Sequence, residues 1–223
     1  MPATQVTDAG KYKAGKIREQ NSLLILDAAE VEFSLHGYRG TSMQRIADRA
    51  GLPKANIHYY YKNKSNLYET VMDRIVDLWN EGLSHITKQD DPAQVLEQFI
   101  RDKVELACTR PQTSKLFATE IIAGAPYFKD HLRTRVRKFV RHKAKIMQSW
   151  IDQGKMADVD PMQLIFLIWS STQHYADFNV QVLTLMNKAE YEPEDITHIA
   201  DHLVSIILKG CGLRRRKRKR ALA

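Results

Sequence analysis

The chain has 223 residues, enough for one large domain or two small ones, and 43% of them are apolar, so a packed core is within reach. The net charge is +8, but Arg214, Arg215, Arg216, Lys217, Arg218, Lys219 and Arg220 carry all but one unit of it, which excludes any argument from a globally basic surface. Two cysteines without metal-type spacing, no signal-peptide core and no apolar run longer than Leu164–Trp169 argue against a disulfide framework, export and membrane crossing, and leave a cytoplasmic protein as the expectation.

Residues 1–17 read as a basic, flexible arm containing Lys11, Lys13 and Lys16, with Arg18 just beyond it. From there the apolar residues recur at the 3.6-residue period of amphipathic helices, and no stretch alternates as a half-buried strand would. About nine helices are predicted, over 18–36, 42–49, 53–59, 63–85, 92–109, 111–122, 126–152, 161–186 and 193–209. Six prolines, Pro53, Pro92, Pro111, Pro126, Pro161 and Pro193, fall where these patterns begin, since a first helical turn has no use for the missing N–H. Asp91 and Asp160 stand one residue before two of them as candidate caps. The class is all-α: a head over 18–66, a helical ligand-binding and dimerisation domain over 67–213, and a basic tail over 214–223.

Gly40 to Leu67 carries the sharpest signal. Thr41 and Gln44 fit a capping box that starts a short helix. Ile46, Ala47 and Ala50 face inward, Gly51 suits the positive φ of a tight turn, and Pro53 opens a second short helix anchored by Ile57. Two short helices joined by a glycine turn, the second with a polar outer face, form a helix-turn-helix. Its candidate DNA-binding residues are Thr41, Ser42, Gln44, Pro53, Lys54, Ala55, Asn56, His58, Tyr59, Tyr60 and Lys64. Asn56 suits an adenine edge and Lys54 a guanine or a phosphate, while Thr41 and Lys64 start flanking helices that suit phosphate.

This segment resembles the head of TetR-type regulators in Gly40-Thr41, Ile46-Ala47, Ala50-Gly51, Tyr59-Tyr60-Tyr61 and Lys64, with Tyr61 replacing the family's usual phenylalanine. The resemblance implies a three-helix head, a two-fold dimer and double-stranded operator DNA as partner, with recognition helices about 34–36 Å apart.

Further along, Trp169, Gln173 and Asp177 are spaced i, i+4, i+8 and share one face of a largely apolar helix. A flat aromatic, an amide and a carboxylate on one stripe suit a flat, polar, uncharged heterocycle. His198 and His202 have the i, i+4 spacing of metal ligands but no third partner nearby, so no metal and no cofactor are expected.

The C-terminal half resembles the RutR-type subgroup, regulators of pyrimidine utilisation, in Trp169–Phe178, in Leu116-Phe117 with Glu120 and Gly124-Ala125-Pro126, and in Trp150 with Gly154-Lys155. That likeness implies uracil or thymine as effector, held by Trp79, Phe117, Glu120, Trp169, Gln173 and Asp177. Gln173 would read the pyrimidine edge, and Trp79 would stack on the ring or close the site. It also implies a lever, because Trp79 lies on the helix that leaves the head. Dimerisation is expected through helices 161–186 and 193–209, whose faces are too apolar for one domain to hide. An enzyme is the rival class, but Ser171, His174 and Asp177 share one helix and lack oxyanion donors. The other alternative is a TetR-like repressor of efflux or lipid genes with an apolar effector.

Overall fold

The computed structural model describes residues 8–214, with side chains from residue 16 onward. Among the described residues all regular structure is helical: α1 (Asp8–Gly40), α2 (Met43–Ala50), α3 (Lys54–Tyr60), α4 (Lys64–Ser84), α5 (Pro92–Thr109), α6 (Pro111–Ile122), α7 (Lys129–His131), a π-helical turn (Leu132–Val136), α8 (Arg137–Asp152), α9 (Pro161–Asp177), α10 (Asn179–Leu185) and α11 (Pro193–Gly210). The chain divides into two compact units within α4, the first ending at Asp73 and the second beginning at Arg74.

In the first unit, Ile25, Ala29 and Phe33 of α1, Ile46 and Ala47 of α2, Ile57 of α3, and Leu67 and Val71 of α4 are fully buried. The helical backbone begins at Asp8, so the expected arm over 1–17 is helical for its second half. Ala9, Lys11, Lys13, Ala14 and Lys16 favour helix and no proline stops them. At the other end Gly37 takes φ 64 and ψ 178, which interrupts α1 after His36. Gly51 takes φ 65 and ψ 29, and its N–H and that of Leu52 reach back to the carbonyls of Asp48 (3.3 Å) and Ala47 (3.1 Å), closing α2.

In the second unit α5 packs against both α9 and α11, and α9 also meets α6 and α8, so α9 runs through the centre. The expected caps are present: Asp91 accepts from the Ala93 amide (3.0 Å), and Asp160 from those of Met162 (2.8 Å) and Gln163 (3.1 Å). Two expectations are corrected. Pro126 opens a turn rather than a helix, because Ala125 adopts φ 55 and the Tyr127 amide is taken by the Glu120 carboxylate at 2.7 Å. The predicted helix 161–186 breaks at Phe178, where Asp177 accepts from Ser114 and Asn179 from Lys115, two α6 side chains holding the chain on either side of the break. No residue type there announces it.

No helix among the described residues is long and apolar enough to cross a membrane. Arg214 is the only tail cation among the described residues; the others, and the side chains of Lys11 and Lys13, lie outside them.

Candidate functional site

The first unit presents α3 as an outward ridge. Ile57 is its buried anchor, while Pro53, Lys54, Ala55, His58 and Tyr59 are exposed and Asn56 and Tyr60 half-buried. Tyr59 stands out at 70% exposure, with the Arg18 guanidinium 5.7 Å from its ring centre and Tyr60 edge-on at 5.2 Å. The hydroxyl by which Tyr61 differs from phenylalanine lies 3.1 Å from that of Ser22.

Three expected contacts are placed differently. Ser42, not Thr41, caps α2, accepting from the Arg45 amide at 3.2 Å. Thr41 is buried, and its hydroxyl donates to the carbonyls of Glu32 and Gly37 at 2.9 Å, so it is not available to phosphate. The Gly37 break brings those carbonyls within reach. Gln44 spans one turn to Asp48 at 2.8 Å instead of closing a capping box, though it remains exposed. Lys64 donates to the carbonyls of Tyr38 (2.8 Å) and Thr41 (2.9 Å) and lies over the Tyr38 ring at 4.5 Å, so its ammonium mainly ties down the chain entering α2.

Sequence reasoning overlooked Arg45 and Arg49. Both lie on the open face of α2 and are anchored by the buried Glu32 carboxylate, at 3.2 and 2.7 Å. Burial pushes the Glu32 carboxyl up, but the Arg49 hydrogen bond and the charges of Arg49, Arg45 and His36 outweigh it and hold it below the usual carboxylate range. The i, i+4 arginines opposite Ile46 and Ala47 were the available signal.

The second unit holds a partly open cavity of about 610 Å³ lined by α4, α5, α6, α9 and the π-helical turn. Trp79, Phe117, Trp169, Gln173 and Asp177 all line it, five of the six effector residues expected. Glu120 does not: it is buried and spends its carboxylate on the Tyr127 amide. Trp79 and Phe117 meet edge-on at 5.7 Å. Leu132 and Val136, the two ends of the π-helical turn, complete one wall; such irregular turns are frequent at functional sites.

Lys103 and Asn80 also line this cavity and were overlooked. Lys103 is buried, 4.9 Å from the Trp79 ring centre, and burial lowers its pKa to about 7 against the opposing charge of Asp177. Burial likewise raises the Asp177 carboxyl, with the Ser114 hydrogen bond and nearby cations opposing. The signal for Lys103 was present: it occupies the apolar stripe Leu96, Phe99, Ile100, Val104, Ala107, where only apolar residues are expected. The Asn80 amide donates to the Val76 carbonyl at 2.8 Å, leaving its Oδ1 buried and without a hydrogen-bond partner; the Trp169 Nε1 is in the same condition.

Residues 25–71 match the bacterial regulatory proteins, tetR family, and residues 72–214 match the YcdC-like protein, C-terminal region. The chain is 36% identical over 186 residues to the HTH-type transcriptional regulator RutR of Escherichia coli strain K12, covering 83% of this chain and 88% of that protein. The chain belongs to the TetR family. This TetR-family member is also 27% identical to the HTH-type transcriptional repressor SCO4008 of Streptomyces coelicolor, covering 70% and 78% of the two chains. Its fold resembles that of AibR in complex with isovaleryl coenzyme A and operator DNA, with a TM-score of 0.61, 22% identity, and coverage of 83% and 97%. It also resembles the SCO4942 protein of Streptomyces coelicolor, with a TM-score of 0.67, 22% identity, and coverage of 87% and 98%. Like its curated relatives, this TetR-family protein is a transcriptional regulator with ligand-responsive DNA binding, not an enzyme.

Proposed function

We propose that this regulator is a RutR-like repressor in pyrimidine metabolism whose operator binding is controlled by uracil or thymine. The observation that carries the reading is the convergence of Trp79, Phe117, Trp169, Gln173 and Asp177 on one cavity. Aromatic faces suit a planar ring, and the Gln173 amide offers one donor and one acceptor to a pyrimidine edge. Identity to RutR over most of both chains supports the same reading.

α3 is the proposed recognition helix, with Lys54, Asn56, His58, Tyr59 and Tyr60 toward DNA and Ser42, Gln44, Arg45 and Arg49 on the adjoining helix. α4 begins in the first unit and ends in the second, so a ligand against Trp79 presses on a helix whose first turns carry Leu67 and Val71 of the head core. Switching from mostly bound to mostly released DNA requires the ligand to favour one state by about 5 kcal/mol. Two copies would pair through α9 and α11, where Phe166, Leu167 and Ile206 are about half exposed. Leu167→Glu is then expected to leave a monomer in sedimentation.

The test is calorimetry with uracil and thymine, together with operator binding measured with and without them, in wild type and Trp79→Ala. Identical operator affinity with and without uracil in wild type overturns the effector assignment. The apolar-effector alternative draws on the cavity volume, about 610 Å³, which exceeds what one pyrimidine ring fills. A fatty acyl ligand included in the same titrations separates the two.

A further inference from the structure

Two lysines are buried among the described residues, Lys103 at 4% exposure and Lys143 at 3%. Their surroundings differ. Lys143 donates to the Ser84 carbonyl at 2.7 Å, so its ammonium meets a held acceptor. Lys103 has no hydrogen-bond or ion-pair partner among the described residues. Its ammonium faces two aromatic rings, 4.9 Å from the centre of Trp79 and 5.7 Å from that of Phe99. Aromatic faces attract a cation far less than the water they displace. An unpaired buried ammonium is costly, so the neutral amine is favoured at this position.

Lys103 also borders open space. It lines the partly open cavity described above and, together with Trp79, a second and more polar cleft of about 560 Å³ between α4 and α5. Lys143 lines neither. The first cavity is walled largely by apolar side chains, Val76, Phe117, Leu132 and Val136 among them. Such walls suit a flat apolar molecule and leave water few partners. An amine kept neutral at the edge of that space has its lone pair free, in surroundings where water competes poorly for whatever it binds.

We propose that Lys103 is a covalent ligand site that captures small aldehydes as an imine. The amine lone pair adds to the carbonyl carbon, and the oxygen takes up the proton that the nitrogen sheds. The nitrogen then expels the hydroxyl, which leaves as water with the remaining amine proton. One amine and one aldehyde give one imine and one water, with no oxidant or reductant. Burial lowers the Lys103 pKa to about 7 against the opposing charge of Asp177. Roughly half of this amine is therefore free at neutral pH, against less than about one part in a thousand for an exposed lysine. The inference goes beyond the effector reading and does not depend on it, because the amide-type carbonyls of uracil do not form imines.

The experiment exposes the full-length protein briefly to benzaldehyde at a series of pH values between about 5 and 10. Each sample is quenched with sodium borohydride, which reduces an imine to a stable secondary amine, and the label is located by peptide mass mapping. Lys103 is expected to label roughly tenfold or more faster than any other lysine near neutral pH. Its rate should level off above its pKa of about 7, whereas exposed lysines keep gaining toward pH 10. Lys103→Met keeps the length of the side chain and its contact with Trp79, and should remove this adduct while circular dichroism shows the fold retained. The wild-type map and pH profile stand without that variant. Labelling of Lys103 no faster than that of the exposed Lys54 or Lys62 overturns the proposal. So does a Lys103 rate that still climbs above about pH 9. Equal labelling of Lys143 overturns it as well, since burial alone would then suffice.

Discussion

The Lys103 ammonium stands 4.9 Å from the centre of the Trp79 ring, buried in the wall of the cavity that Trp79 also lines. A lysine in that position meets an aromatic face and a distant carboxylate where water would have solvated it. The charged form is therefore penalised, and the proton leaves at a pKa of about 7.

That depression sets the sign of a pH effect. The unfolded chain keeps the Lys103 proton up to about pH 10.4, so between about 7 and that value the unfolded state binds more protons and stability rises with pH. Lys103→Met is expected to stabilise the protein, on the order of 1–3 kcal/mol near pH 6, with the gain shrinking as pH climbs toward 10. Urea unfolding of both proteins across that range measures it; a gain that grows with pH contradicts the assignment.

On α3, exposure and burial separate binding from folding. Lys54→Ala and Tyr59→Ala should each lower operator affinity about tenfold and leave stability within about 0.5 kcal/mol. Ile57→Ala, at the fully buried anchor, should instead cost about 2–5 kcal/mol of stability. Gel-shift titration and denaturant unfolding of all three give the comparison.

Gly51 makes a different demand. Its φ of 65 is in the left-handed region, and a Cβ added there meets nothing within 4 Å, so the cost of a side chain is conformational rather than steric. Gly51→Val is expected to destabilise by about 1–2 kcal/mol through the backbone alone. Gly51→Asn, which tolerates that conformation, should recover most of it in the same unfolding assay.

Glu32 couples the head to acid. Its carboxyl is held below the ordinary range by Arg49 and Arg45, so it contributes stability above the unfolded pKa near 4.5, and that contribution is lost as pH falls through the lower folded value. Glu32→Gln should cost about 1–3 kcal/mol at neutral pH and remove this part of the acid sensitivity. It should also weaken operator binding, because Arg45 and Arg49 lose their anchor. Circular-dichroism melts between about pH 3 and pH 7 and a neutral-pH gel shift test both effects.

The local features of the chain were legible in advance because their causes are local. Pro92, Pro111, Pro161 and Pro193 opened helices where they were expected to, and Gly51 closed one, since each acts through its own φ or its own missing amide. The i, i+4, i+8 spacing placed Trp169, Gln173 and Asp177 on one face, and all three line the cavity. Lys103 was readable as a lysine in an apolar stripe, and only the neighbouring Trp79 shows what it faces.

Periodicity, with the helix-opening prolines and Gly51, was sufficient in the sequence for an all-α chain with a helix-turn-helix head, because these signals act within a turn or two of the residues that carry them. Partners distant in the chain were decided only by the tertiary structure. Thr41 is turned inward by the carbonyls of Glu32 and Gly37, Glu120 is spent on Tyr127, and Ser114 and Lys115 break the helix at Phe178. Which polar group is free for a ligand and which is already satisfied depends on what the rest of the fold brings within about 3 Å of it, and no spacing along the chain encodes that.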